Sequence, residues 1–345
     1  MKTLIVNRDG SLAVKEVPKP RYNSKQALVK MISGGICGTD AHLINFAFKG
    51  VDKDMYPLML GHEGVGRVVE VGSEVKGLQV GDVVLLPFVD ADQEVFGDLG
   101  SAWGAFGEYG IVNDAAAYPE GEVPELAMAQ QKVPDDIDPV DAAMLVTLRE
   151  VYSSLTYFGV KKNDGIVVYG SGPVALTFIK FLSLIGASPI IAIARSEEKV
   201  KNVLDHGATH AINSKLHDVA EEVHKICPGG VKYVLDAVGS GDVVNEGMGL
   251  IQDRGEILCY GVPRSNEMTL DWSKADYNWK LVFQQMPNKK EESKAYEQIL
   301  QWIRNGEIVL KDYISDYFEF DKILEAFDRL AQHKIAKKGI VIYEK

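Results

Sequence analysis

At 345 residues the chain is longer than one ordinary core fills, so two domains are the natural expectation. A composition of 46% hydrophobic and 25% charged residues is that of a globular enzyme and leaves no room for a fibrous or low-complexity reading. With 37 basic against 49 acidic residues, the net charge of −12 argues against function through nucleic acid or an anionic membrane surface and favours a small-molecule partner.

The N-terminal stretch "MKTLIVNRDGSLAVKEV" alternates polar and apolar residues like a strand and lacks the long apolar core of a signal peptide. No apolar run is long enough to span a bilayer. Cys37, Cys227 and Cys259 are odd in number and far apart, which points to a reducing compartment, the cytoplasm, rather than a disulfide framework.

Residues 1–145 read as short strands punctuated by Gly, Pro and Asp, among them "ALVKMISGGI", "GVGRVVEVG", "GDVVLLPFV" and "EYGIVN", the pattern of a β-barrel-like domain. Within it, Cys37 sits in a turn opened by Gly34 and Gly35, and His62 and Glu63 follow Gly61 at the head of another strand. Alone, such a cysteine is ordinarily a small buried hydrophobe and such a histidine a satisfied polar group. Together, thiolate, imidazole and carboxylate are what a catalytic zinc uses, with one position left open.

From 146 to 275 the character changes. "GIVVYG", "PIIAIA", "HAIN", "YVLDAVG" and "GEILCYG" recur between helical segments at the interval of βα units, predicting an α/β fold with a doubly wound parallel sheet. "GIVVYGSGPVAL" has the strand, glycine turn and helix of a dinucleotide site. Gly170 allows the tight turn, Ser171 and Gly172 bring the backbone to the pyrophosphate, Pro173 and Val174 open the helix, and Ala175 is the third small position. Val238, after "YVLDA", is placed in the neighbouring loop. At the end of the next strand an NAD site has Asp or Glu; here Ala194, Arg195 and Ser196 stand there with Lys199 beyond, which favours NADP and leaves NAD as the alternative. Residues 276–345 carry "KAYEQILQWIRNG", "ILEAFDRLAQHK" and "GIVIYEK", which break the βα rhythm and are expected to return to the first domain. The charge run "NKKEESK", with Lys289 and Lys290, reads as a solvated helix start.

These motifs together resemble the zinc-dependent medium-chain dehydrogenase/reductase family, which includes alcohol, polyol, threonine and glucose dehydrogenases. The resemblance spans nearly the whole chain: "GICGTDAH", "GHEGVGRVVEVGSEVKGLQVGDVV", "GAFGEY" and "GSGPVAL". It implies a chaperonin-10-like barrel carrying catalysis, a Rossmann domain, and a cleft between them. It also implies Cys37 and His62 as zinc ligands, and Glu63 as a direct or outer one. Thr39 and His42 match the proton relay, Asp40 matches the acidic residue that orients the site, and a homodimer or homotetramer is implied.

Two departures are visible. The family's last zinc ligand falls on Val146, which binds no metal; either Glu150, one helical turn on, takes its place, or Cys37, His62 and Glu63 act with a water. "VDADQEVFGDLGSAWGAFGEYG" lacks the four cysteines of a structural zinc, so one catalytic ion is expected and packing must hold that lobe. The activity implied is hydride exchange between a nicotinamide and a secondary alcohol or its ketone, with a polyol, sugar or related small alcohol as substrate. Trp103, Phe88, Phe46 and Phe48 are candidates to shape its pocket. The alternatives are a zinc-free quinone or enoyl reductase of the same fold and a non-catalytic nucleotide-binding protein.

Overall fold

The computed structural model describes residues 1–263 and 267–343, so Glu344 and Lys345, the end of the predicted last segment, lie outside the described residues. The chain divides into two compact units, one formed by Met1–Arg149 with Asn288–Lys345 and the other by Glu150–Pro287. The divisions fall at 149/150 and 287/288, against 145/146 and 275/276 from the sequence. At the second of these the parallel sheet continues through strand Lys280–Phe283, which pairs with Ile251–Cys259 after the βα rhythm has faded.

The first unit is built on the 11-residue strand Gln26–Ile36, buried along most of its length. One of its edges is shared by Tyr109–Asn113, against residues 26–30, and Lys338–Ile342, against residues 33–36. The other edge carries Glu63–Val71. Register shifts at Leu28/Val29 and Met31/Ser33 bend this pairing, as bulges do where a sheet curls toward closure. Strand Ile314–Glu319 flanks Lys338–Ile342, and Val83–Leu85 flanks Glu63–Val71. A second sheet takes Leu12–Glu16, Lys2–Val6, Leu58–Met59 and Gly100–Ser101 in that order. The returning C-terminal segment thus supplies strands to the first unit as well as helices.

Between these layers Leu4, Val6, Leu43, Leu60, Phe106, Ile323, Phe327 and Val341 form one core. Burying Phe106 alone is worth about 3 kcal/mol. The cysteine-free lobe packs Val89 and Phe96 on Ile5 and Met59. Its backbone is tied down by Val89 N–H to the Trp103 carbonyl at 2.7 Å and Ala102 N–H to the Met59 carbonyl at 2.8 Å.

Two polar features escape a reading by pattern. Arg149 is fully buried and donates to the Ala129 carbonyl at 2.8 Å and to Gln131 Oε1 at 2.7 Å, with its guanidinium over the Tyr296 ring. The run 288–294, expected to be a solvated helix start, does begin helix Lys289–Arg304 but is only partly solvated. Glu292 is fully buried and accepts from Lys289 Nζ at 2.6 Å, because this turn of the helix packs inward.

The second unit has six parallel strands in the order His210–Asn213, Ile190–Ala194, Ile166–Tyr169, Val231–Asp236, Ile251–Cys259 and Lys280–Phe283. The order reverses beside Ile166–Tyr169, so the carboxyl ends of the strands there flank the crevice in which such sheets bind ligands. No helix among the described residues is long and apolar enough to cross a membrane.

Gly61, immediately before His62, has φ +102°, and a Cβ there would lie 2.5 Å from the Phe106 nitrogen. Gly61→Ala is therefore expected to destabilise the first unit by about 2–4 kcal/mol, read as a lowered urea midpoint in near-UV circular dichroism. A change below about 0.5 kcal/mol would refute that account of the turn.

Candidate metal and nucleotide sites

In the first unit, Ile36 ends its strand and Cys37 becomes the residue before helix Gly38–Ile44. Asp40, in the first turn of that helix and fully buried, accepts from the Cys37 N–H at 2.9 Å through Oδ2. Its other oxygen, Oδ1, lies 3.5 Å from His62 Nδ1, an ion-pair distance. One carboxylate therefore references both the cysteine turn and the histidine turn. A metal-binding imidazole commonly turns one ring nitrogen to a carboxylate in this way, leaving the other for the ion.

Donor atoms of Cys37, His62 and Glu63 lie within 4.8 Å of one another, and no other such group of three occurs among the described residues. Ligands held about 2.0–2.3 Å from a tetrahedral ion lie about 3.3–3.8 Å apart, so the three donors share one after drawing together by roughly 1 Å. The donor set of sulfur, nitrogen and oxygen suits zinc. Cys37, Asp40 and Glu63 crowd around His62 and favour a cation among them.

Burial opposes the charged form of His62, but Asp40, aided by Cys37, outweighs it and holds the imidazole well above its ordinary range. For Glu63, burial alone would raise the carboxyl, yet Lys338 and then His62 keep it below the usual carboxylate range. Lys338 Nζ donates to Oε2 at 2.6 Å and to Oε1 at 2.8 Å, and Thr147 Oγ1 donates to Oε1 at 2.9 Å. Glu63 reaches its partners over Gly35, its strand neighbour, where a Cβ would strike Oε2.

Thr39 places Oγ1 4.0 Å from Cys37 Sγ, and His42 lies three residues further along the same helix. Trp103, at φ +67°, sets its ring 5.5 Å from that of His62 and meets Phe48 edge-on at 6.2 Å. Phe46 packs instead against Tyr56, and Phe88 is held in a β-bridge to Ile111. Val146 is buried, and the next residue on its helix, Met144–Phe158, is the Thr147 that bonds Glu63. Glu150, which opens the second unit, is not one of the clustered donors.

Lys338 and Thr147 were not singled out from the sequence. The only signal for Lys338 is a lysine directly before "GIVI", a buried-strand run that gives a lysine little access to water. Thr147 carries none beyond its place beside Val146.

In the second unit, strand Ile166–Tyr169 runs into Gly170, at φ +126°, then Ser171 and Gly172, which precedes helix Pro173–Ile185. A Cβ on Gly170 would crowd Ala175 at 3.1 Å, whereas around Gly172 there is open space. The helix thus offers free N–H groups and its positive end beside an uncluttered backbone, as a phosphate requires. The loop bearing exposed Val238 is shaped by Asp236, whose carboxylate accepts from the N–H groups of Val238, Gly239 and Ser240 at 2.8–3.0 Å. Asp236 was also missed by motif reading. Ala194 ends its strand buried, and Arg195 beyond it is exposed. Ser196 caps helix Glu197–Asp205 by accepting from the Lys199 N–H at 3.4 Å, so its hydroxyl is already partly engaged.

Residues 23–125 match the family model of the alcohol dehydrogenase GroES-like domain, and 173–304 that of the zinc-binding dehydrogenase. The chain is 30% identical over 265 residues to the uncharacterized zinc-type alcohol dehydrogenase-like protein AdhB of Bacillus subtilis (strain 168), covering 69% of this chain and 68% of the relative. It is 31% identical over 262 residues to the NADP-dependent isopropanol dehydrogenase of Entamoeba histolytica, covering 70% and 67%. Among solved structures, 2R,3R-butanediol dehydrogenase from Bacillus subtilis shares the fold at TM-score 0.80 and 20% identity over 99% of both chains. With both domain models matched and the sulfur, nitrogen and carboxylate donors gathered in the GroES-like unit, the chain belongs to the zinc-dependent medium-chain dehydrogenase/reductase family, oxidoreductases that act on CH–OH groups with a nicotinamide cofactor.

Proposed function

We propose that this chain interconverts a small secondary alcohol, such as a polyol or sugar, and its ketone with NADP, holding one catalytic zinc through Cys37, His62 and Glu63. The observation that carries this reading is the gathering of those three donors within 4.8 Å. When bound, zinc supplies Lewis acidity that lowers the pKa of a coordinated hydroxyl or polarises a carbonyl. Asp40 orients Cys37 and His62. The Thr39 hydroxyl, beside Cys37 Sγ, accepts a hydrogen bond from the substrate hydroxyl and passes the proton toward His42, one helical turn along. Trp103 and Phe48 place an apolar wall against His62 that leaves less water around the reacting group.

For the cofactor, Gly170–Val174 takes the pyrophosphate, Val238 borders it, and Arg195, with Ser196 and Lys199, takes the 2′-phosphate. Exposure of Arg195 and the lack of a carboxylate at Ala194 support this choice. The open strand edge at Lys280–Phe283, with Trp272, Tyr277 and Met286 exposed nearby, supports a homodimer or homotetramer. Residence in the cytoplasm remains the reading of the three distant cysteines.

The test is a screen of secondary alcohols, polyols and sugar phosphates with NADP and NAD, before and after chelation. Activity should be lost with the metal and return with zinc; turnover that survives complete removal refutes the mechanism. Arg195→Ala should raise the KM for NADP by roughly 10–100-fold and leave that for NAD nearly unchanged, while equal effects on both would refute the assignment of Arg195. Since three protein ligands and a water complete a tetrahedral set, Glu150→Gln should retain about one zinc per chain by elemental analysis. Loss of the ion would instead give Glu150 the place left by Val146.

A further inference from the structure

Hydrogen-bond capacity at Glu63 limits how it can meet a metal. A carboxylate offers about four lone-pair directions, two on each oxygen. Oε1 accepts from both Lys338 Nζ at 2.8 Å and Thr147 Oγ1 at 2.9 Å, which uses both of its directions. Oε2 accepts from Lys338 Nζ at 2.6 Å and keeps one. All three residues are at most 2% exposed, so water does not compete for these positions. Gly35 makes the room for this placement of the carboxylate, since any side chain there would collide with Oε2.

We propose that Lys338 and Thr147 are positioning residues that restrict Glu63 to a single ligand oxygen, Oε2, and so keep the metal four-coordinate with one place open to substrate. This rests on the zinc reading above. In this chain the restriction matters because Val146 supplies no donor, and a Glu63 free to swing would bind through both oxygens and occupy the place the substrate needs. The Lys338 ammonium also offsets one of the two negative charges that Cys37 and Glu63 bring to a divalent ion, moderating how tightly Glu63 donates. Neither residue is assigned contact with substrate.

Replacing zinc with cobalt tests the idea, because four-coordinate cobalt absorbs visible light far more strongly than five-coordinate cobalt. Removing the Thr147 hydroxyl with Thr147→Val frees one direction on Oε1, and the visible bands should weaken and shift as the second oxygen binds. Lys338→Met should do the same, with a metal dissociation constant changed by roughly 10–100-fold at constant pH. Lys338→Arg, which keeps two donors and the charge, should restore most of the parent spectrum. Should Lys338→Met fail to fold, Thr147→Val decides, being nearly isosteric. A parent that binds cobalt, with Thr147→Val leaving both bands and affinity unmoved, overturns this inference alone. A parent that takes up no cobalt overturns it together with the zinc reading beneath it.

Discussion

A carboxylate taken out of water needs a cation and hydrogen-bond donors, and the first unit is arranged around meeting that need for Glu63. Its partner lies 275 positions away, on the last strand. For Lys338 to arrive, the chain must leave the barrel-like unit, build the second unit and come back to pair Lys338–Ile342 against Gln26–Ile36. The return of the C-terminal segment is therefore part of the candidate metal site as well as of the fold. Breaking such a buried pair from one side costs about 3–5 kcal/mol, which is ample reason for the returning strand to hold its register.

The second unit follows the opposite logic. Its candidate ligand is anionic, and the groups turned toward it are backbone N–H groups and a helix end rather than a fixed cation. Among the described residues of that unit Asp236 is the one buried carboxylate, and it is satisfied locally by three successive N–H groups. Burial raises its carboxyl, and those bonds offset the effect only in part. At the loop edge Arg195 stands exposed.

What could be read in the sequence was local. Strand and helix periodicity marked the two units, and Cys37, His62 and Glu63 stand out because each lies beside a glycine turn at a strand end. The unit boundaries were displaced by four and twelve residues, since Met144–Phe158 is one continuous helix across the first and a sixth strand forms after the rhythm fades at the second. Lys338, Thr147, Arg149 and Asp236 were illegible for a common reason. Each is defined by what it bonds in three dimensions, and a lysine or arginine in sequence reads as surface. Glu292 was misjudged on the same grounds, as one charge in a charged run.

Asp40 divides its two oxygens between the Cys37 amide and Nδ1 of His62. Two turns that are 25 residues apart in sequence, each carrying a proposed zinc ligand, thereby share a single anchor. Loss of that one carboxylate would release both turns at once.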